Sequence, residues 1–265
     1  MFRSLAIAAA VAMIAAPAVA ADPALEAAVA APHRSAEDRA RDPHRHPVES
    51  LTFWGLKPGQ TVIEIAPGGG YWTEILAPYA RATNGRYFAT TSPRAREAFA
   101  KRFADTGRYG AVNLVEFGPT TTSLGPAGSA DLVLTARNLH NFIVQPGYLD
   151  RVMVQMFAVL KPGGVLAVEE HRSDPKPEAA NWSTGYMAEK TVIAAAEKAG
   201  FRLAAKSEIN ANPKDDKDHP FGVWTLPPTR VTAPYGTPQN PNFDRREFDA
   251  VGESDRMTLR FVKPS

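Results

Sequence analysis

Short apolar runs and amphipathic stretches alternate along most of the chain. The apolar runs favour buried strands, which we predict at residues 61–65, 86–90, 112–117, 131–135, 165–169, 201–209 and 257–263. The amphipathic stretches repeat their apolar positions at helical spacing, and they predict helices at residues 71–81, 93–105, 148–160 and 184–199. Because helices separate successive strands, we predict an α/β fold with a doubly wound, mostly parallel sheet.

Several segments interrupt this alternation. Residues 118–129 are rich in Gly, Pro, Thr and Ser, so the helix expected there is short or missing. Residues 22–46 form an Ala-rich, charged lead-in, and residues 47–56 have the apolar spacing of one helix with proline in its first turn. Residues 210–255 are rich in Pro, Asp and Asn. We predict one α/β domain over residues 47–265, in which this long insertion is either a lid over a binding site or a surface loop.

The first 21 residues have a different composition. Arg3 precedes the apolar run 5–16, and Ala18-Val19-Ala20 provides the small residues that a signal peptidase accepts. We therefore predict a cleavable signal peptide, cut near Ala20-Ala21, and a periplasmic or secreted protein. The alternative is an uncleaved anchor, although the run is short for a bilayer span. No later segment is apolar enough to span a membrane.

Charge and cysteine content narrow the function classes. The 30 basic and 28 acidic residues give a formal net charge of +2, which offers no electrostatic case for nucleic acid as the partner. The chain has no cysteine, so disulfides, thiolate metal sites and cysteine nucleophiles are excluded. A small molecule is the expected partner, and the oligomeric state is left open.

A glycine-rich loop follows the first predicted strand. Its residues are Glu64, Ile65, Ala66, Pro67, Gly68, Gly69 and Gly70, and Tyr71 begins the next predicted helix. Glycines let the backbone bend and approach a ligand closely, and the free N–H groups at the start of a helix favour an anion. Glu64 ends the strand and could receive an ammonium group. The alternative is that the glycines form only a tight turn.

Other polar segments follow predicted strands at the same edge of the sheet. In open α/β sheets, the ligand crevice lies outside the carboxyl ends of the strands. We therefore expect residues 64–71, 90–92, 137–141 and 169–172 to converge on one site.

His140 and His171 are the candidate catalytic residues. Both lie at predicted carboxyl ends of strands, where an imidazole could take a proton from a nucleophile. Glu169 or Glu170 stands beside His171 and could orient its ring. His46 could close over the site from the lead-in. The alternative for each histidine is a structural or solvent-facing role.

Metal binding has weaker sequence support. His140, Glu170 and His171 lack the close spacing of a metal-ligand motif. The segment His44 to His46 is polar and flanked by prolines, so we expect a solvated loop there. The segment Asp215 to His219 could bind a cation weakly, or it is simply an acidic loop. We therefore predict no metal.

These motifs together resemble those of class I S-adenosylmethionine-dependent methyltransferases. Residues 64–70 are similar to the first motif of that family, and residues 160–166 to its turn before the fifth strand. The order and spacing of the elements match from about residue 47 to the end. Arg137-Asn138 is similar to the fourth-strand motif of quinone-biosynthesis C-methyltransferases. The resemblance implies a Rossmann-like methyltransferase fold with a seven-stranded sheet whose last strand is antiparallel.

A closer resemblance is to a group of exported proteins of proteobacteria that are predicted methyltransferases. The shared motifs are Arg-His-Pro at 45–47, Pro-Gly-Gly-Gly at 67–70, Arg-Asn-Leu-His at 137–140, Asn-Pro-Lys-Asp at 212–215 and Asp-Arg-x-x-Leu-x-Phe-x-Lys-Pro at 255–264.

The resemblance implies S-adenosylmethionine as the cofactor and methyl transfer to a small molecule, with His140 or His171 as base. The implied cofactor-binding residues are Glu64, Ala66, Pro67, Gly68, Gly69, Gly70, Tyr71, Thr90, Thr91, Ser92, Arg137 and Asn138. Glu64, Gly68 and Gly70 would hold the amino-acid end.

Three places depart from the pattern of the family, one of which is residues 118–120, where the acidic residue often found after the third strand is absent. Ala66 replaces the first glycine, and Thr90 to Ser92 replace the acidic residue that usually binds the ribose. The alternatives to methyl transfer are an exported binding module that kept the fold, and a hydrolase or metal enzyme that uses the same crevice.

Overall fold

The structure, a computed structural model, describes residues 22–174 and 183–265, so the predicted signal peptide lies outside the described residues. Within these ranges, seven strands form one sheet in the order β3-β2-β1-β4-β5-β7-β6. The strands are β1 Thr61–Ile65, β2 Arg86–Thr91, β3 Val112–Glu116, β4 Ala130–Ala136, β5 Leu160–His171, β6 Arg202–Ser207 and β7 Arg256–Val262. Strands β1 to β5 run parallel, and β7 is antiparallel to β5 and β6. The predicted fold is confirmed, including the antiparallel last strand.

Helices cover both faces of the sheet. Those in the described residues are α1 Pro23–Val29, α2 Ala36–Arg39, α3 Asp42–Arg45, α4 Pro47–Phe53, α5 Thr73–Ala82, α6 Pro93–Arg102, α7 Thr106–Tyr109, α8 Leu139–Phe142, α9 Tyr148–Val159, α10 Glu189–Lys198 and α11 Arg246–Val251. Residues 118–129 contain no helix, in agreement with the prediction. None of the helices in the described ranges combines the length and the apolar character that a membrane crossing requires.

Alternating side chains of the strands divide the core into two layers. Ile63 and Val133 belong to the layer that packs against α9 and α10, whereas Val62 and Leu132 belong to the layer on the side of α5. Successive strand residues point to opposite faces, so a run of apolar residues serves both layers. The strand order reverses between β1 and β4, which are adjacent in the sheet. Sheets of this type bind ligands at the carboxyl side of that switch point.

The lead-in packs onto the domain. Tyr79 on α5 donates a hydrogen bond of 2.6 Å to Asp22 Oδ2, just before α1. The expected solvated loop at His44 to His46 is wrong at Arg45, which ends α3 and is fully buried. Its Nε lies 2.9 Å from a carboxylate oxygen of Glu253. A charge that is paired in this way can be buried at a position that looks polar in the sequence.

The segment 210–255 is more structured than the sequence indicates. It contains a 3₁₀ helix at Gly222–Thr225 and the short helix α11. Asp215 is buried and accepts hydrogen bonds from the Tyr186 hydroxyl and from the backbone N–H groups of Lys217 and Asp255. These contacts tie the segment to the carboxyl edge of the sheet.

Candidate functional site

A cavity of about 240 Å³ lies at the carboxyl edge, next to β1 and β4. The glycine loop contributes residues 66–69 and Tyr71 to its lining, and the end of β4 with the start of α8 contributes residues 136–138 and 140–141. His171 closes the side at β5. Residues 64–71, 137–141 and 169–172, expected from the sequence to converge, thus each contribute to one cavity.

The predicted site residues separate into two groups. Those that line the cavity are Ala66, Pro67, Gly68, Gly69, Tyr71, Arg137, Asn138, His140 and His171. Those outside its lining are Glu64, Gly70, Thr90, Thr91 and Ser92. The second group occupies positions in the core or at a helix end, as described below.

The backbone of the glycine loop is left-handed at alternate positions. Ala66, Gly68 and Gly70 have φ values of +47°, +57° and +85°. A Cβ atom on Gly68 or Gly69 would meet no atom within 4 Å, whereas one on Gly70 would lie 2.5 Å from the Phe103 ring. Gly68 and Gly69 therefore expose their backbone to the cavity, and Gly70 permits close packing behind it.

Glu64 lies in the core and contacts two hydroxyl groups. Thr73 Oγ1 donates to Glu64 Oε2 at 2.9 Å, and the Tyr87 hydroxyl donates to the same oxygen. Burial raises the pKa of the Glu64 carboxyl to about 7, although these two hydrogen bonds act in the opposite direction. The carboxyl group stabilises the junction of β1, β2 and α5 and does not reach the cavity lining.

Two of the hydroxyl groups at the end of β2 already accept local hydrogen bonds. Thr90 Oγ1 accepts the Ala66 N–H at 2.9 Å and so holds the glycine loop. Thr91 is buried, and Ser92 Oγ accepts the Ala95 N–H at 3.3 Å as the cap of α6. Thr90 therefore supports the loop from behind, and Ser92 supports the start of α6.

Asn138 connects the end of β4 to the glycine loop. Its side-chain amide donates to the carbonyl oxygens of Ile65 at 2.9 Å and Ala66 at 3.3 Å. It also donates to the Ala136 carbonyl at 3.1 Å. One side chain thereby fixes the separation of the two backbone segments that form the cavity walls.

His140 is oriented by Glu170. Its Nδ1 lies 2.9 Å from Glu170 Oε1, and the Trp224 ring meets the imidazole edge to face with centroids 5.9 Å apart. Glu170 also accepts the backbone N–H groups of Leu139 at 2.6 Å and His171 at 2.9 Å. Because Nδ1 faces this acceptor oxygen of Glu170, we assign the His140 proton to Nδ1, which leaves Nε2 as an acceptor.

His171 has a different partner from the one expected. Its Nδ1 lies 2.5 Å from Ser254 Oγ, and neither Glu169 nor Glu170 contacts its ring by a hydrogen bond. Burial and the nearby positive charges hold the pKa of His171 well below its ordinary value. The ring is therefore neutral near pH 7. His46 lies outside the cavity lining, with Nδ1 3.3 Å from Asn210 Oδ1.

Arginines converge on Glu253 at one end of the cavity. Arg41 Nε lies 3.1 Å from Glu253 Oε1, and Arg45 Nε lies 2.9 Å from Oε2. Arg256 Nη1 lies 2.8 Å from Glu253 and 2.7 Å from Glu169. Burial would raise the pKa of Glu253, but the surrounding guanidinium groups hold it well below its usual range. Arg41 and Glu253 line the cavity.

Arg137 adds another positive charge to this end. It lines the cavity, its φ is +58°, and its buried Nε has no hydrogen-bond partner among the described residues. Burial and the Arg137 charge lower the pKa of Arg45 to about 9. Burial is the main cause of this lowered pKa, and the Arg137 charge adds to it.

Within residues 22–174 and 183–265, two groups of side chains have the composition of metal ligands. The ligand atoms of His140, Glu170 and His171 lie within 4.8 Å of one another. Glu170 is already occupied by N–H donors, and the arginines nearby oppose a cation. We therefore interpret this group as two histidines, one of them held by Glu170, and not as a metal site. The atoms of Asp215, Asp216 and His219 also lie within 4.8 Å of one another. There Asp215 is occupied by the hydrogen bonds that hold the insertion, as described above.

The insertion 210–255 forms the remaining wall. Val223, Trp224, residues 227–229, Glu253 and Ser254 all line the cavity. Of the two alternatives for this segment, the structure therefore supports the one in which it covers the site.

Sequence reasoning assigned no role to several of these residues. Arg45 and Arg256 fell within motifs shared with the exported group, but their positions in the sequence gave no sign that they would meet. Arg41, Trp224, Glu253 and Ser254 fell within segments of irregular pattern. Long-range packing of the lead-in and the insertion brings them to the cavity.

Comparisons with known proteins agree with this fold. Residues 63–168 match the family described as methyltransferase domain. This range includes the glycine loop, the end of β4 and most of β5. No curated protein matches the chain.

Solved structures resemble the whole domain at low sequence identity. One is a chain of the complex between the Trm112 methyltransferase activator and a methyltransferase of Haloferax volcanii, with a TM-score of 0.55, 17% identity, and coverage of 87% of this chain and 94% of that chain. A S-adenosylmethionine-dependent methyltransferase of Aquifex aeolicus has a TM-score of 0.52, 18% identity, and coverage of 66% and 89%. The [4+2]-cyclase SpnF has a TM-score of 0.54, 17% identity, and coverage of 86% and 80%. At these identities the likeness establishes the fold.

Proposed function

We propose that the protein is an S-adenosylmethionine-dependent methyltransferase that acts on a small molecule. The position of the cavity carries this proposal. It lies on the glycine loop at the switch point between β1 and β4, where doubly wound sheets bind their ligands. The match of residues 63–168 to a methyltransferase domain supports the same conclusion.

The glycine loop fits the amino-acid end of the cofactor. A ligand can approach Gly68 and Gly69 closely, because no side chain in the described part of the chain occupies the space beside them. Asn138 holds the loop at a fixed distance from β4. When bound, S-adenosylmethionine supplies an electrophilic methyl group.

His140 is suited to take a proton from the methyl acceptor. Glu170 orients its ring through Nδ1, so that Nε2 is free to accept. Trp224 and residues 227–228 cover this part of the cavity and limit the access of water. Methyl transfer depends chiefly on the alignment of the nucleophile, the methyl group and the sulfur, and a covered cavity favours that alignment.

A second candidate is a small-molecule-binding module that kept the fold and lost methyl transfer. β2 ends at Thr91 without a carboxylate for a ribose, and the cavity is smaller than the roughly 300–1,000 Å³ typical of ligand pockets. The [4+2]-cyclase has the same fold, and a fold does not determine a reaction. Mass spectrometry of a co-purified ligand other than the adenosyl cofactor would favour this candidate.

Calorimetric titration of the purified protein with S-adenosylmethionine and S-adenosylhomocysteine tests the leading proposal. We expect saturable one-to-one binding of both. An Asn138→Ala variant should bind about tenfold more weakly, because the loop loses its hydrogen-bonded support. Asn242→Ala, at an exposed position in the insertion, is the matched control and should bind like the wild type. If neither ligand gives a heat of binding, the proposal is overturned.

We also propose that the protein is exported, on the basis of the signal-like residues 1–21. S-adenosylmethionine is made in the cytoplasm, so location matters for the choice between the two candidates. Cell fractionation should place a shortened chain in the periplasm or medium. A full-length chain in the cytoplasm would contradict export and remove the main objection to methyl transfer.

A further inference from the structure

The arginine end of the cavity has more positive than negative charge. The arginines there are Arg41, Arg45, Arg137 and Arg256, and the carboxylates that face them are Glu169 and Glu253. A third carboxylate, Asp38, lies 3.0 Å from Arg41 at the rim. Even with Asp38 included, one guanidinium charge has no counterpart within the described residues.

Arg137 is the arginine without a partner. Within residues 22–174 and 183–265, its guanidinium group makes no hydrogen bond and no ion pair, although it lines the cavity. Its backbone has a φ of +58°, a left-handed conformation that is strained for a residue other than glycine. A strained backbone that presents an unpaired charge to a cavity is a feature of binding sites.

Arg45 gives a second, independent observation. It is fully buried, and its Nη1 and Nη2 atoms have no hydrogen-bond partner in the described part of the chain. Its guanidinium lies over the Tyr71 ring, 4.4 Å from the centroid. Buried charged donors without acceptors are costly. An anion at this end would lower that cost through its charge.

We propose that the methyl acceptor carries a carboxylate or phosphate group and that this anionic group binds to Arg137 and Arg41. The proposal deepens the proposed function and rests on it only in naming the ligand as the acceptor. Arg137 and His140 line the same wall, so an anion held by Arg137 brings the remainder of the molecule to the His140 ring. The anionic group would also balance the positive charge that a sulfonium adds to a site already rich in arginine.

The alternative source of an anion is the carboxylate of the cofactor itself. The backbone N–H groups of the glycine loop are available to a cofactor carboxylate. Because these N–H groups can hold the cofactor carboxylate without an arginine, we assign the unpaired Arg137 to the acceptor. If the cofactor carboxylate binds the arginines, S-adenosylhomocysteine competes with a free anion for them. If the acceptor binds them, it does not compete.

The test is an NMR titration of the full chain with inorganic phosphate, at constant ionic strength, with and without saturating S-adenosylhomocysteine. The signals to follow are the backbone amides of residues 137–141 and the Nε–H of Arg137. The variant is Arg137→Asn, because asparagine tolerates a positive φ. Arg94→Asn removes one charge from an exposed position on α6 and is the control. Arg41→Gln is a second variant in case Arg137→Asn does not fold.

We expect phosphate to bind the wild type and the Arg94→Asn control equally, and either binding-site variant about tenfold more weakly. Saturation with S-adenosylhomocysteine should change the phosphate affinity by no more than about twofold, as for independent sites. Equal binding to wild type and to Arg137→Asn would overturn the anion site. Displacement of phosphate by S-adenosylhomocysteine would overturn the assignment to the acceptor. If S-adenosylhomocysteine does not bind at all, the proposed function fails, while the dependence of phosphate binding on Arg137 still decides the anion site.

Discussion

Glu64 and Glu170 are both buried carboxyl groups at strand ends, and their partners give them different properties. Glu64 accepts hydrogen bonds from two neutral hydroxyl groups, and burial raises its pKa to about 7. Glu170 accepts several N–H groups and the Nδ1 proton of His140. At the residue scale, one carboxyl group therefore titrates near neutral pH and supports the fold, while the other is positioned to orient a base.

The raised pKa of Glu64 predicts a pH-dependent free energy of unfolding. The folded pKa of about 7 lies above the ordinary value of 4.5, so the folded state binds the proton more tightly. Stability should fall by about 3 kcal/mol as pH rises from about 4.5 to about 7. Glu64→Gln should remove this fall, which urea unfolding at pH 5 and pH 8 measures. Glu116→Gln, on the exposed end of β3, should retain it. An equal pH dependence in Glu64→Gln and wild type would contradict the raised pKa.

The histidine site shows how far residue roles follow from the sequence. The sequence placed His140 and His171 at one sheet edge, and both line the cavity. It suggested a glutamate partner for His171, but Glu170 contacts the His140 ring instead. Glu169 and Glu170 point to opposite faces of β5, and only the packing of α8 decides which histidine meets which carboxylate.

At the scale of elements, the glycine loop combines a face for a ligand with a face for packing. Gly68 and Gly69 have open space beside them, whereas Gly70 packs against Phe103. Thr90 and Asn138 hold the loop from β2 and β4. The loop is therefore fixed on one side and accessible on the other.

This division predicts different effects of two neighbouring substitutions. Gly70→Ala should lower the free energy of unfolding by about 2 kcal/mol or more, because the new Cβ overlaps Phe103 and φ is +85°. Gly69→Ala should change stability by less than about 0.5 kcal/mol but weaken S-adenosylhomocysteine binding, because its Cβ enters the cavity. Denaturant unfolding and calorimetry measure the two effects. A Gly69→Ala variant that binds like the wild type would place the ligand elsewhere.

Element boundaries were predictable where a periodic pattern runs without interruption. Strand β1 has the predicted ends, and α9 lies within its predicted range. Helix α10 begins at Glu189 and not at residue 184, because Met187 pairs with the end of β5: its N–H donates to His171 O at 2.8 Å. β5 continues to His171 because Glu170 and His171 pair with β7. Local pattern contains no information about such distant partners.

At the scale of the whole molecule, the lead-in and the insertion complete the site. Arg41 and Tyr71 meet Glu253 and Trp224 around one cavity, although more than 200 residues separate Arg41 from Glu253 in the chain. The insertion is held by Asp215, which accepts hydrogen bonds from Tyr186 and from the backbone. The cover of the cavity therefore depends on a buried carboxylate outside it.

We predict that Asp215→Asn destabilises the protein by about 2 kcal/mol, because an amide cannot accept all the donors that converge there. Asp216→Asn is the matched control, since the Asp216 side chain is largely exposed, and it should have little effect. Urea unfolding of both variants measures the difference. If Asp216→Asn were the more destabilising of the two variants, Asp215 and Asp216 would act as a cation site, and Asp215 would not be the residue that holds the insertion.

The mostly parallel sheet and a cavity at its carboxyl edge were predictable from the sequence, because they follow from strand–helix alternation and from the glycine loop. The arginine end was not predictable. Arg45 lies in the polar lead-in and Arg256 at the start of the last strand, and charged residues at such positions are usually exposed. Their burial depends on ion pairs with Glu253 and Glu169 that form only when the chain ends pack together.

A crystal structure of the protein with S-adenosylhomocysteine tests the central claim most directly. We predict that the amino-acid end of the ligand lies on Gly68 and Gly69, with Trp224 and residues 227–229 displaced to admit the nucleoside. His140 should remain hydrogen-bonded to Glu170. A ligand bound away from the glycine loop, or a loop that stays empty at a ligand concentration that saturates binding in solution, would contradict the assignment of this cavity as the cofactor site.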